Sequence, residues 1–94
     1  MLINRKSLNK KMLKTVSMLT EEFKMPILRR EIRNNKAFIK SYFNNMIFTI
    51  TIEQNKLFFY KFKLRVDNVI YKIDNMEELK YKIKTYRNIY NEIW

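Results

Sequence analysis

The chain predicts an α+β layered domain: two N-terminal helices, a three-stranded antiparallel sheet and a C-terminal helix packed on that sheet. Three observations carry this expectation. Apolar residues recur at helical spacing near both ends, they alternate with period two from Met46 to Ile73, and Asn-rich or Asp-Asn pairs fall where one period gives way to the next.

Ser7 is placed to cap the first helix, after which Leu8, Met12, Val16, Leu19 and Phe23 follow one another at spacings of four, four, three and four. That is one apolar face. Lys10, Lys11, Lys14 and Ser17 lie mostly away from it, and Met25 before Pro26 ends the pattern. Pro26 suits the first turn of a second helix, in which Leu28, Ile32, Ile39 and Phe43 share a face and Arg29, Arg30, Arg33, Lys36 and Lys40 spread over the rest. Asn34 and Asn35 weaken its middle, leaving room for two shorter helices, and Asn44-Asn45 end it.

From Met46 the pattern is that of strands. Met46, Phe48, Ile50 and Ile52 alternate with Ile47, Thr49, Thr51 and Glu53, and Asn55-Lys56 offers a tight turn. Phe58, Tyr60, Phe62, Leu64 and Val66 then alternate with Phe59, Lys61, Lys63 and Arg65, and Asp67-Asn68 turns again. Val69, Tyr71 and Ile73 complete a three-stranded meander. Asp74 or Asn75 followed by Glu77 or Glu78 reads as a capping box, opening a helix with the stripe Met76, Leu79, Ile83, Tyr86, Tyr90 and Ile93, closed by Trp94. The 94 residues make one domain, with 1–25 a basic amphipathic helix or arm and 26–94 a helix-strand-strand-strand-helix core. That core order resembles double-stranded RNA-binding domains, and its strands plus last helix are similar to integrase-type DNA-binding domains. The last helix opens with Met76, Glu77 and Glu78 where the RNA-binding family has a lysine cluster, so that family's sites do not transfer.

Composition bounds the function. Phe, Tyr, Met, Ile, Asn and Lys supply 56 of 94 residues while Gly, Ala and Pro supply two, the signature of an AT-rich genome. Codon bias does not explain the charge, because Glu and Asp also have AT-rich codons, yet 20 basic residues face 9 acidic ones for a net +11. Such a field attracts polyanions. The first forty residues hold most of it, at net +8. Without Cys, His or Gly the chain has no disulfide, no thiolate metal site, no imidazole base and no glycine-rich phosphate loop. Asp67, Asp74, Glu77 and Glu78 with Lys80 are the only hint of a metal-dependent nuclease, and a turn plus a helix N-terminus account for them.

We therefore expect a non-catalytic protein with no cofactor and no metal, whose partner is nucleic acid, RNA favoured over DNA. The expected contacts are Arg29, Arg30, Arg33 and Lys36 on the second helix, and Phe59, Lys61, Lys63, Arg65 and Lys72 on the sheet, beside Thr49 and Thr51. Cations neutralise phosphates, hydroxyls position the backbone and a ring stacks on a base. An RNA-binding structural subunit of a ribosome-like particle, with neighbouring proteins, fits best. A phage or viral inhibitor of a host protein is the alternative, and an accessory subunit of an organellar or membrane-associated complex comes third. No apolar run approaches the ~20 residues that span a bilayer. Met1 to Thr20 is composed like a mitochondrial transit peptide, although we expect it to be kept as a structural arm. An intracellular location follows, mitochondrial if organelle-encoded and otherwise bacterial or host cytoplasm.

Overall fold

Asn34 and Asn35 set the architecture. Both have left-handed backbones, at φ 52° and 61°, and so do Asn44 and Asn45, at 50° and 63°. Two successive residues of this kind make the tight hairpin turn whose twist matches that of the strands it joins. Asn tolerates the conformation better than other residues with a Cβ, and this chain has no glycine to take it.

In the computed structural model, which describes residues 5–56 and 59–93 with the side chains of 55, 56 and 89–93 excepted, Pro26–Phe43 is consequently a β-hairpin. This corrects the expected second helix: β1 (Ile27–Arg33) and β2 (Lys36–Phe43) precede β3 (Met46–Lys56), β4 (Phe59–Val66) and β5 (Val69–Ile73). The sheet has five strands, not three, in the antiparallel order β1-β2-β3-β4-β5. One helix stands before it instead of two, so the likeness to double-stranded RNA-binding domains ends with the lost helix, and the likeness to integrase-type domains, which rested on three strands and the last helix, ends with the five-stranded sheet. The misleading stripe has a simple origin. Across a two-residue turn the facing parity flips, so Ile32 pairs with Ala37 and Arg30 with Ile39, and a bulge at Leu28 brings Ile27 opposite Ser41. Ala37 and Ser41 are weak strand formers, and they hide the period of two.

The β3–β4 turn also moves. Lys56 still pairs with Phe59, so Asn55-Lys56 belongs to the strand, and Phe58 and Trp94 lie outside the described residues. Asp67, at φ 53°, makes the last turn as expected.

Both helices lie on one face. α1 (Arg5–Ser17) buries Leu8, Met12 and Thr15, and continues as a wider π-helical turn, Met18–Glu22, that buries Met18 and Leu19 in succession. Lys24 at φ 55° reverses the chain, and the Met25 N–H donates to the Leu19 carbonyl at 2.9 Å. Ser7 does not cap this helix. It sits inside α1, and its hydroxyl is hydrogen-bonded to the Tyr60 hydroxyl on β4. α2 (Met76–Ile93) is capped at Asn75, whose Oδ1 accepts from the Glu78 N–H at 2.8 Å, while Glu78 Oε2 accepts from the Asp74 N–H at 3.3 Å. Leu79 and Ile83 of α2 are fully buried, and Tyr86 meets Phe48 edge-on at 5.7 Å. The core is therefore a sandwich of two helices on Ile39, Phe48, Ile50, Ile52, Phe62, Leu64 and Ile73, each residue contributing about 1.5–3 kcal/mol by its removal from water.

Candidate nucleic-acid interface

The strand registers place every side chain of the sheet on one face or the other. Three rows run across the face that no helix covers. Arg29, Lys40, Thr49, Arg65 and Ile70 form the first, Glu31, Phe38, Thr51, Lys63 and Lys72 the second, and Arg33, Lys36, Glu53 and Lys61 the third. Phe59, opposite Lys56 at the end of β4, is 66% exposed beside them.

Eight cations and two carboxylates share these rows, a net +6 out of the whole chain's +11. More than half of the excess charge therefore faces one way. Glu31 ties up part of it, standing 3.2 Å from Arg29 and 3.3 Å from Arg33, and Lys36 lies 3.6 Å from Glu53. Lys40, Lys61, Lys63, Arg65 and Lys72 have no carboxylate within 4.0 Å among the described residues. Arg65 is held in place by its own turn, with Nε donating to the Asp67 carbonyl at 3.0 Å. The Arg33 guanidinium lies 4.8 Å from the centre of the Phe38 ring.

Two shallow depressions follow the rows. One, of about 330 Å³, runs from Arg29 and Arg33 past Phe38, Lys40, Thr49 and Thr51 to Lys63, Arg65 and Ile70. The other, of about 310 Å³, shares Thr51 and Lys63 and continues to Lys36, Lys61, Lys72 and Asp74. A surface of this kind, open, cationic and dotted with hydroxyls and rings, is suited to an extended anionic chain.

No family model, curated protein or solved structure matches this chain. Among the described residues no three of Asp, Glu, His or Cys gather where a metal ion could sit, and no helix is long and apolar enough to cross a membrane.

The two groups of contacts expected from the sequence become one surface. Arg29, Arg33 and Lys36, assigned to a helix, stand in the same rows as Lys61, Lys63, Arg65 and Lys72. Arg30 does not join them, because its partner Ile39 belongs to the buried side of the sheet. The sequence reading missed Phe38 and Ile70 and left Lys40 on a helix. Had Asn34-Asn35 been taken as a hairpin turn, Phe38, Lys40 and Tyr42 would have emerged as the alternation partners of Ala37, Ile39 and Ser41.

A second basic surface lies behind the sheet. Arg5, Lys6, Lys10 and Lys14 project from α1 into solvent, and α1 contains no acidic residue. Lys11 folds against β4, its ammonium 5.2 Å from the Tyr60 ring centre and 6.0 Å from that of Phe62. Burial, and then repulsion from Lys14, hold its pKa below the ordinary lysine value.

Proposed function

We propose that this protein is a non-catalytic binder of single-stranded nucleic acid, RNA in preference to DNA, acting as a component of a ribonucleoprotein particle. The open face of the sheet is the binding surface. The observation that carries this reading is the placement of Lys63 directly across from Lys72, in a face of eight cations. Like charges directly opposite each other on neighbouring strands cost about 0.2–1 kcal/mol relative to neutral pairs. Folding gains nothing from such a pair, whereas a phosphate between the two ammonium groups relieves it.

Lys61, Lys63, Arg65, Lys72 and Lys40 would neutralise phosphates, Arg65 by paired N–H donors and the lysines as point charges. Phe59 and Phe38 offer rings on which bases stack. Thr49 and Thr51, between the cationic positions, supply hydroxyls that bond a ribose 2′-hydroxyl, which is the basis for favouring RNA. The cations are spread over four of the five strands and no single element reads base edges, so the binding is directed at the backbone and indifferent to sequence.

Fluorescence anisotropy across a salt series tests this. With about five phosphates neutralised, log K falls against log salt with a slope near −3.5 on single strands and −4.5 on duplex. Lys61→Ala/Lys63→Ala should flatten the slope, and Lys80→Ala/Lys84→Ala on α2 should not. A flat salt response, with tight binding only to a protein, would move the assignment to an inhibitor of a host protein. Thr49→Val/Thr51→Val should remove any preference for RNA over DNA of the same sequence.

A further inference from the structure

We propose that the lysine groove between α1 and β4 is a second phosphate-binding site, and that one molecule uses it to hold a second nucleic-acid segment behind the sheet. The groove, of about 480 Å³, is lined by Ser7, Lys10, Lys11, Lys14 and Tyr60. It contains three ammonium groups, two hydroxyls and no carboxylate. A neighbouring depression adds Lys6 and Asn9 along the same side of α1.

Three facts set this groove apart from an ordinary solvated helix face. First, its cations are crowded. Half-buried Lys11 lies over Tyr60 and Phe62, one helical turn from Lys14, and burial and then repulsion from Lys14 lower its pKa. Second, its walls are fixed: Ser7 and Tyr60 are joined hydroxyl to hydroxyl, which ties α1 to β4 at this point. A phosphate entering here meets donors already positioned and relieves the repulsion between the lysines. Third, the groove opens away from the basic sheet face. Tyr60 and Phe62 belong to the side of β4 that the helices cover, whereas Lys61 and Lys63 belong to the other. The inference rests on the open-face reading for its first strand. The molecule measures 23 and 22 Å across its two short dimensions, so strands bound front and back lie within energy-transfer distance of each other.

The test uses two short, non-complementary RNA strands, one carrying a donor dye and the other an acceptor, mixed with the full chain. The wild type should raise energy transfer at low protein and lose it at protein excess, when each strand occupies its own molecule. Lys10→Gln/Lys14→Gln alters two exposed residues and should fold normally. It should abolish the transfer while leaving the salt slope for one strand at the wild-type value, and Lys10→Arg/Lys14→Arg should restore the transfer. Lys63→Gln/Arg65→Gln should make the one-strand slope shallower by about 1.4. If that slope does not change, the open-face reading fails. If the slope changes but the wild type shows no transfer, the second site fails alone. Transfer that survives Lys10→Gln/Lys14→Gln would overturn the groove, as would α1-dependent binding to phosphatidylserine vesicles with no transfer between strands.

Discussion

Along β4, Phe62, Leu64 and Val66 are 3%, 0% and 2% exposed, while Lys61, Lys63 and Arg65, each one residue away, stand in water. Side chains on a strand point alternately to its two faces, so one eight-residue segment serves two unrelated purposes. The buried row is shaped by packing, where each methylene is felt. Packing does not constrain the exposed row, so its composition reflects something else. A strand surface that only had to meet water would mix both signs of charge. Here one sign dominates, to the point of setting Lys63 against Lys72. The covered face accounts for the fold, and the open face carries a charge pattern that the fold does not need.

The largest test of that division is Phe48→Ala. Phe48 is fully buried near the start of β3, against Tyr86, so its truncation should cost about 3–5 kcal/mol, measured by urea unfolding. A loss below ~1 kcal/mol would mean that the helices do not pack on the sheet as described. On the other face, Phe59→Ala should leave stability within ~0.5 kcal/mol of wild type, because the ring is mostly exposed. It should weaken single-strand binding by about 1–3 kcal/mol if a base stacks there. Unchanged affinity would limit the interface to its charges.

The same contrast explains what could be read in the sequence. β3 and β4 were legible because both alternate large apolar residues inward with polar ones outward over three successive pairs, Phe48, Ile50 and Ile52 with Thr49, Thr51 and Glu53, and Phe62, Leu64 and Val66 with Lys61, Lys63 and Arg65. α2 was legible from its cap at Asn75 and its stripe Met76, Leu79, Ile83 and Tyr86, of which all four are buried or half-buried. β1 and β2 were not. Their buried residues include Ala37 and Ser41, Arg30 on the same face of the edge strand is exposed, and the bulge at Leu28 breaks the period once more. The Ser41 hydroxyl is buried because it donates to the Pro26 carbonyl at 2.9 Å, a partner that no local pattern reveals. The β4–β5 residues could therefore be grouped on one face in advance, whereas of the residues expected on the second helix Arg29, Arg33 and Lys36 join those rows from a hairpin and Arg30 does not.

Asn35 provides a middle-sized test of the hairpin. A residue with a Cβ and no local polar group pays about 1–2 kcal/mol to hold left-handed backbone. Asn35→Ala should lose roughly that much in thermal or urea unfolding, while Asn35→Gly, which adopts positive φ without steric cost, should match the wild type. Equal stability of the two variants would argue that Asn35 is not left-handed and reopen the helical reading of this segment.

The smallest expected effect on stability separates the two faces most sharply, because its sign is opposite in folding and in binding. Lys72→Glu would place a carboxylate directly across from Lys63, turning a like-charge pair into an opposite one. Cross-strand pairs of this kind differ by about 0.2–1 kcal/mol, so the variant should be slightly more stable than the wild type, and more so at low salt, where screening is weak. The same change removes one phosphate contact and adds a negative charge to the face. The salt slope on single strands should become shallower by at least about 0.7, with weaker binding at every salt concentration. Urea unfolding and anisotropy on one preparation give both signs. A variant that loses stability and binding together would show that Lys72 serves the fold, and a variant that gains stability with binding intact would place the nucleic acid elsewhere on the molecule.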